Sequence, residues 1–341
     1  MKQLILTVIL SMSILMGFGQ SDSLSYYLHK GEEAASGRQM QPAYQYYKHA
    51  VAIDASNTEA LKGLADAAYE TRSYIVARET YKKFHELQPK DTFTISRLAE
   101  LNFNTRQWQD AIDMARKAKM LGFGERFDWL IARSFFQMEQ YGSAVEYIER
   151  AWKRDSSDAQ MPFVAARAFI ELSNYRRAAG CYEQALRLDP NNVQWMYEAA
   201  MTWSAIPDDA RAIPWFEKAI AANHPRTIDF LTNMANSYFG NNQFEKGLPL
   251  VEELLQQNPQ DLELLYLAGE GYLRAGRHQQ AIDSWDKMLA IDKNQARAVY
   301  MIGIAYIKKG DDKKGQALCE KAITMDPALS RLRDKRSSFG L

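Results

Sequence analysis

A chain of 341 residues with 42 Lys and Arg against 42 Asp and Glu carries no net charge. That excludes the concentrated basic field nucleic-acid binding needs and gives no general pull toward anionic membranes. Apolar residues make up 47% and charged residues 25%, the balance of an ordinary folded protein. The two cysteines, Cys181 and Cys319, are too few for a disulfide framework, and both are expected as small buried apolar groups.

The first element in chain order is a leader over residues 1–19. Met1-Lys2 supplies a positive start, Leu4 to Met16 is mostly Leu, Ile, Val and Met, and Gly17-Phe18-Gly19 offers small residues for cleavage ahead of Gln20. An uncleaved anchor is the rival reading, but the apolar run is shorter than the roughly 20 residues that span a bilayer. No cysteine follows the run, so no lipid anchor is expected there, and no later run is long enough to cross a membrane. The mature chain is therefore expected to be exported, periplasmic or secreted, with no transmembrane segment.

After the leader the sequence repeats itself. Ala178-Ala179-Gly180-Cys181-Tyr182-Glu183-Gln184-Ala185 returns 34 residues later as Ala212-Ile213-Pro214-Trp215-Phe216-Glu217-Lys218-Ala219. Repeat units are framed at 24–57, 58–91, 92–124, 125–158, 159–192, 193–227, 228–261, 262–295 and 296–329, the third being 33 and the sixth 35 residues long. Units 1, 3 and 4 fit the frame least well. The eighth position reads Gly31, Ala65, Ala99, Ala132, Ala166, Ala200, Ala235, Gly269, Gly303. The twentieth reads Ala43, Ala77, Ala111, Ala144, Ala178, Ala212, Gly247, Ala281, Gly315. Such columns mark two helices per unit, A and B, whose backbones cross closely because the contact residue lacks a bulky side chain. Large rings then fill the holes: Tyr47, Tyr81, Tyr182, Phe216 and Trp285 at position 24, and Phe135, Phe169, Trp203, Tyr238, Tyr272 and Tyr306 at position 11. Proline closes several units, as in Gln88-Pro89-Lys90-Asp91 and Asp189-Pro190-Asn191-Asn192.

These columns resemble the tetratricopeptide repeat, with its Leu-Gly, Tyr, Ala, Phe and Pro signature. The resemblance covers residues 24 to 329 and implies an all-α, right-handed α-solenoid of about nine helix-turn-helix repeats, A helices inside and B helices outside. Pro214 and Pro249 share the twenty-second position, so their B helices are expected either to begin late or to change the local pitch. A basic tail over 330–341 with Arg331, Arg333, Lys335 and Arg336 is expected to cap the last apolar face.

No catalytic motif is present, and His29, His49, His85, His224 and His278 have no ligand spacing, so neither an enzyme nor a metal site or cofactor is expected. Asp208-Asp209 and Asp311-Asp312 read as solvated turns. The resemblance implies instead a protein or peptide partner held along helix A. Its groove columns select Phe93, Phe103, Arg126, Trp129, Arg133, Phe136, Phe163 and Arg167, then Tyr197, Asn236, Phe239, Tyr266, Arg274, Tyr300 and Lys308. Aromatic and arginine side chains are enriched at binding hot spots. The clamp by which family members hold a chaperone's C-terminal carboxylate is absent, because Asp66 stands where it needs Asn and Thr232 where it needs Lys. The expected function is a non-enzymatic scaffold of a bacterial envelope, in a secretion, motility or outer-membrane machine. The alternative is a glycan- or peptidoglycan-binding accessory protein that stacks sugars on Trp129, Phe136, Phe163 and Tyr197.

Overall fold

The computed structural model describes residues 22–332, which are almost wholly helical, with no strand among them. The expected leader, and Arg333, Lys335 and Arg336 of the tail, lie outside the described residues. Eighteen α-helices follow one another. The A helices are α1 (22–36), α3 (Thr58–Glu70), α5 (Thr92–Asn104), α7 (Asp128–Gln137), α9 (Gln160–Glu171), α11 (Val193–Ala205), α13 (Ile228–Gly240), α15 (Leu262–Arg274) and α17 (Ala296–Lys308). The B helices are α2 (Met40–Ile53), α4 (Tyr74–Leu87), α6 (Trp108–Met120), α8 (Tyr141–Arg154), α10 (Tyr175–Leu188), α12 (Asp209–Ala221), α14 (Phe244–Gln257), α16 (His278–Ile291) and α18 (Asp312–Met325). A 3₁₀ turn, Glu125–Phe127, leads into α7, and another, Pro327–Leu332, follows α18.

The last residue of one repeat starts the next helix. Asn57, Asp91, Asn192, Thr227 and Asp261 turn their side chains back to accept from the amides of Ala60, Thr94, Trp195, Phe230 and Leu264. Each satisfies an amide that has no partner inside its helix. The A helices end in a left-handed residue at the fifteenth position: Arg38, Arg72, Arg106, Glu139, Ser173, Asn242, Gly276 and Gly310, with φ between 56° and 94°. Around Arg72 the amides of Arg72 and Ser73 bond back to Tyr69 and Ala68 at 3.0 and 2.8 Å, which reverses the chain within three residues. Asp208 and Asp311 stand at the N-caps of α12 and α18, and Asp311 accepts from the Lys314 amide at 3.1 Å. They are helix starts rather than loose turns.

All eighteen residues of the two small columns are buried. A Cβ on Gly303 would stand 2.7 Å from the Gly315 carbonyl oxygen, and one on Gly269 would meet the Trp285 ring. The backbones of A and B therefore touch where the columns cross, and the ring from position 24 fills the remaining space. At the end of the shorter third repeat Gly124 lies on the Lys119 backbone, where any Cβ would collide.

Contacts divide the chain into two compact units, one ending at Leu172 and the other beginning at Ser173. In the first, α2 through α9 pack each on the next; in the second, α10 through α18 do the same. Two expectations are corrected. Helices α12 and α14 begin at Asp209 and Phe244, so Pro214 and Pro249 lie inside them and no late start occurs. Both prolines are exposed, so water can satisfy the carbonyl each leaves unbonded. Cys181 is half-buried, and only Cys319 is buried. Leu329 and Leu332 of the final 3₁₀ turn pack on the last apolar face, and the rest of the expected basic cap lies outside the described residues.

Candidate peptide-binding face

In the first unit α5 packs on α7, and α7 on α9, so consecutive A helices present one continuous face. Three arginines on it follow a single rule, each lying over a ring four residues earlier on its own helix and a ring on the preceding A helix. Arg97 lies 5.1 Å from Phe93 and 4.1 Å from Tyr69. Arg133 lies 5.3 Å from Trp129 and 4.4 Å from Phe103. Arg167 lies 5.9 Å from Phe163 and 5.6 Å from Phe136. Residues i and i+4 share a helix face, and the next A helix brings the second ring alongside, so each guanidinium joins two repeats by cation–π attraction. Arg126 completes the row, stacked 4.7 Å over Phe127 and bonded to the Ser96 hydroxyl.

A cleft of about 550 Å³ opens among Thr92, Phe93, Ser96, Arg97, Glu100, Phe123 and Arg126. Within it Arg97 meets Glu100 at 3.5 Å. Arg126, Arg133 and Arg167 have no carboxylate within ion-pair reach among the described residues. Burial pushes the Arg133 guanidinium below its usual range, and Asp158 opposes that only at longer range; its Nε is buried without a hydrogen-bond partner.

The second unit treats its selected residues differently. Tyr300 is wholly buried and Phe239 is 3% exposed. Phe239 fills the space beside Gly247 and Gly271, so both rings are core rather than binding surface. Tyr266 is also buried, with Arg297 stacked 4.1 Å above it. Its hydroxyl is raised well above the ordinary phenol range, by burial first and then by Glu270. Tyr197 is half-buried among Phe216, His224 and Phe230. Asn236 and Arg274 are exposed, Lys308 half-exposed, and Arg274 leans on Phe244 at 5.3 Å. A cleft of about 560 Å³ here carries Asp229, Asp261, Glu263 and Glu270 against Arg297 alone, and Arg297 already faces Glu270 at 3.6 Å.

The selection by helix column missed Arg97, Ser96, Tyr69 and Phe123. The signal that reaches Arg97 is aromatic-x-x-x-Arg, present as Phe93/Arg97, Trp129/Arg133 and Phe163/Arg167. Among the described residues no group of three or more His, Cys, Asp or Glu could hold a metal ion, and no helix is long and apolar enough to cross a membrane.

Models of the tetratricopeptide repeat match residues 163–225, 232–297 and 296–329. The chain belongs to the tetratricopeptide repeat family. The tetratricopeptide array continues ahead of those matches, since the repeats from 24 to 158 carry the same helix pair and the same buried small columns. No curated protein matches the chain in sequence. Among solved structures it is similar to YrrB, described as a TPR protein with an unusual peptide-binding site (23% identity, 56% of this chain and 99% of that one, TM-score 0.44). It is also similar to the C-terminal part of a TPR repeat-containing protein from Cytophaga hutchinsonii (15% identity, 81% and 99%, TM-score 0.48). A third similar structure is PilW, described as a type IV pilus biogenesis factor (17% identity, 60% and 94%, TM-score 0.41).

Proposed function

We propose that this tetratricopeptide repeat protein is a non-enzymatic scaffold that holds a protein or peptide partner on the A-helix face of its first unit. We further propose that it serves in a bacterial cell envelope, within a secretion, motility or outer-membrane machine. The observation that carries the binding reading is the row Arg126, Arg133 and Arg167. These are guanidiniums steadied by rings and lacking carboxylates, whereas Arg226 and Arg277 meet Glu253 and Glu245. Arginines held in place lose less freedom when a ligand arrives. The leader-like residues 1–19 support export.

The glycan reading has less support. Sugars stack on open ring faces, and here guanidiniums lie over Trp129, Phe136 and Phe163, while aromatic neighbours surround Tyr197.

Photo-crosslinking in cells tests the reading. A benzophenone side chain in place of Phe163 is expected to trap a discrete partner, and one in place of Lys153 on helix B is not. No product, or the same products from both positions, contradicts it. N-terminal sequencing of the mature chain is expected to begin at Gln20; an intact Met1 contradicts cleaved export.

A further inference from the structure

Zero net charge leaves room for local charge, and the first unit carries a basic edge away from its A-helix face. The B helices α4 and α6 lie side by side. Lys82 meets Asp110 at 3.2 Å, and the Lys117 ammonium donates to Nε2 of His85 at 2.7 Å. Along the last turns of these helices and the connections after them, Lys83, Lys90, Arg116 and Lys119 are exposed. None of the four has a carboxylate within ion-pair reach among the described residues. The exposed carboxylates of the same stretch are Glu86 and Glu125, while Asp91 is half-buried and turned to the Thr94 amide.

An apolar tip stands out from this edge. Met120, the last residue of α6, is 81% exposed, more than any other large apolar side chain among the described residues. Leu121 after it and Leu87 at the end of α4 are exposed as well. The chain turns there through Gly122, left-handed at φ 84°, and Gly124, which lies on the Lys119 backbone. Lysines in a last turn complement the helix carbonyls, and that accounts for part of the charge. It does not account for a methionine held in water between them, since burying such a side chain is favourable.

We propose that this edge of the first unit docks on an anionic phospholipid bilayer. Met120 and Leu121 enter the boundary between headgroups and acyl chains, and Lys83, Lys90, Arg116 and Lys119 stay among the phosphates. The proposal uses other residues than the A-helix reading and does not depend on it. Charge and shape together carry the choice of occupant. A bilayer is flat, accepts a protruding apolar residue, and attracts the lysines around it, whose stems lie along apolar surface while the ammonium stays wet. A protein partner of ordinary affinity needs a patch near 800 Å² with an anchor seated in a pocket, and an exposed tip does not supply one.

The test is vesicle flotation of the chain starting at Gln20, which keeps every described residue and lacks the apolar leader that would itself bind lipid. Vesicles of phosphatidylcholine with about 30% phosphatidylglycerol are expected to carry the protein, and pure phosphatidylcholine is not. Binding should fade as salt rises from about 0.1 to 1 M, where the screening length drops from about 10 to 3 Å. Lys83→Gln and Lys119→Gln are each expected to weaken binding about fivefold, and Met120→Ser about tenfold. Lys287→Gln, an exposed lysine on α16 of the second unit, should leave it unchanged. Circular dichroism melts of the same variants separate lost binding from lost folding. Insertion is read with an environment-sensitive dye on Met120→Cys in a Cys181→Ser background. Its emission is expected to brighten on the anionic vesicles, and the same dye on Lys287→Cys is not. No flotation at low salt, equal binding to both kinds of vesicle, indifference to the three edge variants, an unchanged dye at position 120, or equally tight binding of soluble polyglutamate overturns the proposal.

Discussion

Gly180 and Gly303 are both helical glycines, yet the same substitution is expected to act on them with opposite sign. Nothing lies within 4 Å of a Cβ built on Gly180, so Gly180→Ala only restrains the unfolded chain and stabilises by about 0.5–1 kcal/mol. A Cβ on Gly303 would press on the Gly315 carbonyl and on Cys319, so Gly303→Ala costs about 1–3 kcal/mol as the helix pair is pushed apart. Urea unfolding of the two variants checks the contrast. Glu139, left-handed at φ 60°, holds a conformation that costs a side-chain-bearing residue about 1–2 kcal/mol. Glu139→Gly is therefore expected to stabilise the fold by about 0.5–1 kcal/mol, read as a higher urea midpoint. The small columns were readable because only Ala and Gly fit a backbone crossing, and composition records that directly. The left-handed turn was not readable, since Arg38, Arg72, Arg106, Glu139 and Ser173 are residues with no preference for it. Geometry imposed by the helix pair overrides local preference there. Tyr300 was misassigned for a related reason: a column gives a side chain's bearing on its own helix, but not whether the neighbouring repeat leans over it.

Between helices, one bond recurs in the second unit. The ring at position 11 donates to the glutamate at position 25 of the repeat before: Trp203 to Glu183 at 3.0 Å, Tyr238 to Glu217 at 2.9 Å, and Tyr272 to Glu252. The fourth pair is Tyr306 with Asp286, and that bond does not form among the described residues. Aspartate is one carbon shorter, and burial with Asp283 holds its carboxyl above the usual range. Asp286→Glu is therefore expected to add about 0.5–1 kcal/mol. Burial first, then the bond to Glu252, pushes the Tyr272 phenol up to about 12, above the unfolded value near 10. The folded state thus favours the protonated phenol. Its contribution is complete below pH 10 and is lost as pH rises toward 12. Tyr272→Phe is expected to lower the melting temperature at pH 8 and to lose less of it than the parent between pH 10 and 12. The prolines also act here. Pro214→Ala and Pro249→Ala each restore a missing amide donor inside a helix, so each should stabilise by about 1–3 kcal/mol, measured by thermal unfolding.

Across the molecule, zero net charge conceals two faces of different character. The A helices of the first unit carry ring-mounted arginines, Arg97 beside Glu100 but Arg133 and Arg167 with no carboxylate within ion-pair reach among the described residues; the A-helix cleft of the second carries carboxylates and amides around one paired arginine. Repeat number and helix order could be read from the sequence, because every repeat obeys the same packing rule. The contrast between units could not, because it depends on which charges are already neutralised by a neighbour. Hydrogen–deuterium exchange of the full chain, with and without the partner trapped at position 163, most directly tests whether the first-unit A face is the binding surface. Slowed exchange is expected in α5, α7 and α9, with α6, α8 and the second unit unchanged. Protection confined to the B helices or to the second unit, or none at saturating partner, would contradict it.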